Sequence, residues 1–353
     1  MSVSRDDIHT SFRSDNDAGA SLEVLQAMAA CNEGPVYPYG GDIWTRRAEE
    51  QLARVFECEL RVLLVSTGTA ANSLALAAMA PPWGSVLCHR QAHIHTDECG
   101  APEFFGSGLK LVPSASAGSL LDPGLLRGEL SRGKGDVHSV QPSAVSITQS
   151  TEEGQIYSPA QVGAIGDICR ELQLPLHMDG ARFANALVAQ DCTPAQLTWQ
   201  AGVDLLSFGA TKNGALSAEA LIVFNDALWD TLPFRRKRAG HLLSKMRFVA
   251  AQMHAYLQDD LWLRNARHAN AMARRMAEGL ATVPGITSVV PALTNILFVR
   301  MPQPLLQGLF ERGFDFYHGG RWEVGVVRLV TSFRTTVQMV DGLVNAAREI
   351  QLA

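Results

Sequence analysis

The sequence predicts an α/β protein with a mostly parallel, seven-stranded sheet in a large domain, followed by a smaller C-terminal α/β domain. Two observations carry this. From about residue 60 to residue 224, short apolar runs alternate with helix-length segments, the pattern of strands covered by helices on both faces. The chain's 353 residues, 47% hydrophobic and 18% charged, suffice for one large domain and a smaller one.

The elements follow in order. Residues 22–30 are rich in Ala and Leu and read as a helix ending near Asn32 and Gly34. A loop rich in Gly, Tyr and Pro, residues 34–42, leads to a helix over 44–57, with Leu52, Val55 and Phe56 at helical spacing. Strands are expected at 61–65, 85–88, 109–112, 144–148, 175–178, 204–207 and 220–224, with helices over 70–80 and 158–172. Residues 118–135 read as a loop-bounded helix. The chain turns helical from about residue 240 to 280, and a small α/β region follows, with strands at 295–299 and 326–330 and a last helix from Val337. The spacing places the domain boundary near residue 250, giving domains of 1–250 and 251–353.

A net charge of −5 without charged tails gives no surface for nucleic acid. The one basic run, Arg235 to Arg238, reads as a helix face, a subunit contact or a pocket wall. Six cysteines at unpaired spacings carry no zinc or disulfide motif. No signal core opens the chain, and no stretch reaches the roughly 20 apolar residues of a membrane span, so a cytoplasmic protein is expected.

The most informative stretch is His177-Met178-Asp179-Gly180-Ala181-Arg182, with Lys212 roughly 30 residues downstream among small residues. An Asp at a strand end and a Lys after the next strand are the two groups that pyridoxal 5′-phosphate needs. The lysine holds the cofactor as a Schiff base, and the carboxylate keeps the pyridine nitrogen protonated. Asp179 alone reads equally as the N-cap of a helix over 181–189, and His177 as a core histidine. Arg182 is placed to neutralise a carboxylate or phosphate. The turn Ser66-Thr67-Gly68-Thr69 before a helix suits an anion, though a capped β-to-α turn has the same look. His93 and His95 lack a third ligand, so no metal is expected. One of them is expected to stack on a planar cofactor or act as a base, since an extended segment would point the two to opposite sides.

These residues, in this order, resemble the threonine aldolase family of pyridoxal-phosphate enzymes, whose fold is that of aspartate aminotransferase (fold type I). The similarity runs from Phe12-Arg13-Ser14-Asp15-Asn16 to Arg328-Leu329-Val330-Thr331. It implies a lyase that cleaves L-threonine, allo-threonine or phenylserine to glycine and an aldehyde. It further implies phosphate binding by Gly68 and Thr69, His93 stacked on the ring, and Asp179 paired with the ring nitrogen. Lys212 would form the Schiff base, and Ser14, Arg182 and Arg328 would hold the substrate carboxylate. Tyr39 lies in a loop that the family usually delivers from a neighbouring subunit, implying a homodimer or homotetramer. Two departures stand out. Glu152 occupies the place of a second active-site histidine in the family's better-known branch, and could hydrogen-bond the β-hydroxyl or act as base. Thr211-Lys212-Asn213 stands where Ser-Lys-Gly is common, and Lys245 and Arg247 compete for one phosphate- or partner-facing role. A β-eliminating lyase or aminotransferase is the alternative, and a non-catalytic cofactor-binding relative a remoter one.

Overall fold

The computed structural model describes residues 10–320 and 322–352. The expectation of an N-terminus without a signal core falls on residues 1–7, outside the described residues. The chain divides into two compact units. One comprises Ala20–Glu152 and Ile156–Trp262; the other comprises, of the described residues, 10–19, 153–155 and those from Leu263 on.

The larger unit is built on the seven expected strands. They are β1 (Arg61–Val65), β2 (Gly84–His89), β3 (Lys110–Ser114), β4 (Gln141–Thr148), β5 (Leu176–Gly180), β6 (Leu205–Gly209) and β7 (Glu219–Val223). Their order across the sheet is β1-β7-β6-β5-β4-β2-β3, and β7 alone runs opposite to the other six. Every residue of β5, β6 and β7 is buried, because helices cover both faces of the sheet. The helix Gly68–Met79 is buried nearly all round and its Ala-rich sequence lets it lie close against the strands. The helix Pro159–Leu172 starts where the sequence dictates. Ser158 and Gln161 cap each other's backbone, and Pro159 occupies the first turn, where its missing N–H has no role.

Close approach fixes glycine at two positions. A Cβ on Gly166 would lie 2.2 Å from the Ala201 carbonyl oxygen, where this helix meets the turn Trp199–Ala201. A Cβ on Gly209 would lie 2.6 Å from the Ala181 oxygen, so the ends of β5 and β6 can touch only without a side chain there.

In the smaller unit, the strands Thr287–Ser288, Ile296–Arg300, Tyr317–His318 and Val326–Val330 form an antiparallel sheet. The helices Leu261–Leu280, Gln303–Glu311 and Val337–Leu352 supply apolar residues to its core. Residues 10–19 are part of this unit for a visible reason. Thr10–Ser11 pairs in parallel with Phe314–Asp315, the Phe12 carbonyl accepts the Val330 N–H at 2.8 Å, and the Phe12 ring is fully buried in the core.

His177 is a core histidine, as the sequence suggests. It is fully buried in β5, with Nδ1 2.9 Å from the Ser146 hydroxyl and Nε2 3.0 Å from that of Ser207. Burial pushes its pKa down to about 4, with the Asp179 charge opposing. Below pH 6.5 the unfolded chain takes up a proton that the folded chain refuses, so stability falls with falling pH until about pH 4. Urea denaturation at pH 6.5 and pH 5 is expected to show about 1.5 kcal/mol of this loss in the wild type. His177→Gln should flatten that part of the slope; an unchanged slope would contradict a neutral buried ring.

Candidate active site

Parallel strands bring their carboxyl ends to one edge of the sheet, and the expected residues of the larger unit hang from that edge. Asp179 is the fourth residue of β5, opposite Ser207 of β6 and Thr148 of β4. Lys212 sits three residues beyond the end of β6, in the short 3₁₀ turn Thr211–Asn213. Glu152 follows β4, His93 follows β2, and the Gly68–Met79 helix follows β1. β1 belongs to the same edge because β7 runs antiparallel to both β1 and β6.

Asp179 is buried, and both of its carboxylate oxygens are held. Oδ2 accepts from Asn72 Nδ2 at 3.0 Å, and Oδ1 accepts the Ala181 N–H at 3.0 Å. The expected helix over 181–189 is shorter, Phe183–Leu187, and its N-cap position is Arg182, not Asp179. The strand runs on through Gly180, so Asp179 closes a local turn instead of capping. Arg182 is buried.

The Lys212 turn is pinned on both sides. Asn213 Nδ2 donates to the Tyr256 hydroxyl at 2.7 Å and to the Trp262 carbonyl at 2.8 Å. Glu219, at the start of β7, accepts the Ala210 N–H at 3.1 Å. Burial raises the Glu219 pKa, while the Thr211 hydroxyl and the Lys212 charge pull it back. A half-buried lysine on an immobilised turn is thus held beside a buried acid.

At the Gly68–Met79 helix, the Thr67 side chain caps the Ala70 N–H at 3.1 Å. Helix geometry leaves the N–H groups of Gly68 and Thr69 without an intrahelical acceptor. A Cβ on Gly68 would meet nothing within 4 Å, so the space beside this helix start is open. That is a cradle for an anion with a side chain's worth of room.

The His93 segment is not extended. His93–Thr96 is a single helical turn, with the Asp97 N–H bonded to the His93 carbonyl at 2.9 Å, because a local i to i+4 bond closes before Gly100 reverses the chain. His95 is exposed, whereas His93 is drawn inward: its Nδ1 lies 2.8 Å from Oε1 of the fully buried Glu98 side chain. The Glu98 hydrogen bond raises the His93 pKa most, burial opposes it, and the charges of Asp179, Glu152 and Glu98 add to the rise.

Ser14 and Arg328 belong to the smaller unit and lie together there. Ser14 Oγ accepts the Asn16 N–H at 3.1 Å, and Arg328 Nη1 donates to the neighbouring Arg13 carbonyl at 3.4 Å. Tyr39 is half-exposed in the loop before the helix Ile43–Val55, with Lys237 over its ring at 5.1 Å. Lys245 is exposed, while Arg247 Nη1 is committed to the Gly34 carbonyl at 2.8 Å at the head of that loop. Arg236 is partly buried within the basic run, where burial lowers its pKa against the Glu49 charge. No His, Cys, Asp and Glu cluster able to hold a metal occurs among the described residues.

The family model for beta-eliminating lyases matches residues 11–303. The chain belongs to the beta-eliminating lyase family. It is 44% identical over 345 residues to the low-specificity L-threonine aldolase of Pseudomonas aeruginosa, which covers 97% of each chain. It is 45% identical over 306 residues to that of a Pseudomonas species, covering 87% of this chain and 88% of the other. A solved structure of Leishmania major threonine aldolase superposes with a TM-score of 0.91 at 29% identity, covering 97% of this chain and 99% of that one. The fold is therefore that of this family's pyridoxal-phosphate enzymes, fold type I.

Three residues that sequence reasoning missed complete the site: Asn72, Glu98 and Glu219. Each had a signal. Asn72 is the one amide in an Ala- and Leu-rich helix, Glu98 follows His93 by five residues, and Glu219 is an acid opening an apolar strand.

The observations fit pyridoxal phosphate: an open amide cradle, a held buried carboxylate, and a pinned lysine on one sheet edge. Gly68→Val should fill the cradle and weaken pyridoxal-phosphate binding by about tenfold or more, read by fluorescence titration. Its effect on unfolding free energy should stay within about 1 kcal/mol, because the added atoms meet open space.

Proposed function

We propose that this chain is a pyridoxal-phosphate-dependent aldolase that cleaves β-hydroxy-α-amino acids, threonine and phenylserine among them, to glycine and an aldehyde. The observation that carries this is the placement of Asp179 and Lys212 at the carboxyl ends of adjacent parallel strands, with the Gly68 amide cradle at the same edge. The names of the relatives point the same way.

When bound, the cofactor supplies an electron sink for the pair released from the breaking Cα–Cβ bond. The chain's own groups do the rest. Lys212 is the amine that anchors the cofactor, Gly68 and Thr69 bind its phosphate, and Asp179 keeps a proton on its ring nitrogen. Arg182 orients the substrate carboxylate. His93 takes the proton of the β-hydroxyl, and Glu152 lies close enough to influence its charge. Orientation by the carboxylate clamp is worth several kcal/mol of barrier, on the order of 5.

We further propose a homo-oligomer in which the Tyr39 loop serves a neighbouring subunit. Val36, Tyr37, Tyr39 and Ile43 are exposed in or beside that loop, a surface suited to a partner. A cytoplasmic setting agrees with six free cysteines. No described helix is long and apolar enough to cross a membrane.

The purified protein with pyridoxal phosphate should show a visible absorption band that Lys212→Ala abolishes. Threonine and phenylserine should yield glycine and the matching aldehyde. A keto acid and ammonia in their place would overturn the aldolase reading in favour of β-elimination. Asp179→Asn should keep the fold and lower kcat by about 100-fold or more. For the oligomer, mixing Tyr39→Ala subunits with Lys212→Ala subunits should restore activity that neither has alone, and no recovery would place Tyr39 outside the neighbour's site.

A further inference from the structure

We propose that Glu98 is a positioning residue that fixes the tautomer of His93: it holds the proton on Nδ1, and so leaves Nε2 as the nitrogen that accepts a proton from substrate. The proposal rests on the aldolase reading for its catalytic meaning and on geometry alone for the tautomer.

The geometry centres on one oxygen. Glu98 Oε1 lies 2.8 Å from His93 Nδ1 and 2.8 Å from Asn72 Nδ2, and that same Asn72 nitrogen lies 3.0 Å from Asp179 Oδ2. The orientation of the Asn72 amide follows from its neighbours. Facing two carboxylates, it must present its NH₂, since its carbonyl oxygen there would oppose two negative groups. The NH₂ has two hydrogens, and it gives one to each carboxylate. Glu98 Oε1 is thereby an acceptor, and an acceptor 2.8 Å from a ring nitrogen requires that nitrogen to carry the hydrogen.

Burial strengthens the arrangement. The Glu98 side chain is fully buried, and its second oxygen, Oε2, has no hydrogen-bond partner among the described residues. The carboxylate therefore directs its charge at His93 and Asn72. When Nε2 takes the β-hydroxyl proton, the imidazolium that forms is paired with Glu98. The other charged groups acting on the ring are Asp179 and Glu152, both carboxylates, and they favour the same protonated form. The logic is that of a carboxylate–imidazole pair in which the acid orients the base and stabilises its protonated state. Asn72 adds a second function: it ties the acid behind His93 to the acid meant for the cofactor's ring nitrogen.

The test is NMR of protein labelled with ¹⁵N-histidine, with the His93 signal assigned by its loss in His93→Asn. In the wild type without cofactor, Nδ1 should give the shift of a protonated ring nitrogen and Nε2 that of an unprotonated one. Glu98→Gln is near-isosteric. Asn72 pins the new amide oxygen at the Oε1 place, so both hydrogen bonds persist while the charge is removed. The His93 titration midpoint should then fall by about one pH unit or more. The acid limb of kcat/KM should move to lower pH with it, and the plateau should drop because the base is weaker. Glu98→Ala should lose the tautomer bias and lower the plateau by about 100-fold. An Nε2–H tautomer in the wild type, or an unchanged midpoint in Glu98→Gln, would overturn the proposal. The wild-type spectrum needs no variant to fold. An Nδ1–H tautomer in a chain that cleaves no β-hydroxy amino acid would support the role of Glu98 and remove the aldolase reading alone.

Discussion

The larger unit depends on the shared direction of its strands. Because β4, β5, β6 and β2 run parallel, their carboxyl ends meet at one edge, and the loops that follow them open there. The antiparallel β7 restores that direction for β1, which is why a helix starting at Gly68 faces the same edge as Lys212. Residues more than a hundred positions apart in sequence are gathered without any loop having to reach far. The close fit of Gly209 against Ala181 shows how tightly the central strands must approach for this to work.

Burying acids at that edge is costly unless each acid finds a donor. Asp179 has Asn72 and the Ala181 N–H, Glu98 has Asn72 and His93, and Glu219 has the Ala210 N–H near the lysine. Asn72 is the economical element, since one amide nitrogen serves two carboxylates. Leaving either acid without it would expose a buried charge to an apolar surround, a penalty of about 1–3 kcal/mol or more. The network therefore holds the site's shape as well as its charge.

Much of this was legible in sequence, and the parts that were not have a common cause. The strands β5 and β6, Asp179 and Lys212 announce themselves through local patterns: an apolar run, then a polar group at its end. The opposite-facing geometry of an extended His-x-His segment does not apply, because the local hydrogen bond from Asp97 closes a helical turn. Asn72 and Glu98 were missed because their meaning lies in each other. They are 26 residues apart, and only the packing of the Gly68–Met79 helix beside the His93 turn brings them within 2.8 Å. Glu219 was overlooked because it opens a strand that otherwise reads as plain core.

Glu152 gains a meaning from the same electrostatics. In the family's better-known branch a histidine is expected at that place, and a neutral imidazole would add no negative charge beside His93. A carboxylate does, and it joins Glu98 and Asp179 in favouring the protonated His93 ring. A base whose conjugate acid is stabilised by three carboxylates holds an abstracted proton firmly. The proton must then be released again before the next turnover, so such a site trades easier abstraction for slower release. On the reading proposed above, Glu152 acts through its charge and proton abstraction rests with His93. That proposed role of His93 depends in turn on the contact between its Nδ1 and the buried oxygen of Glu98.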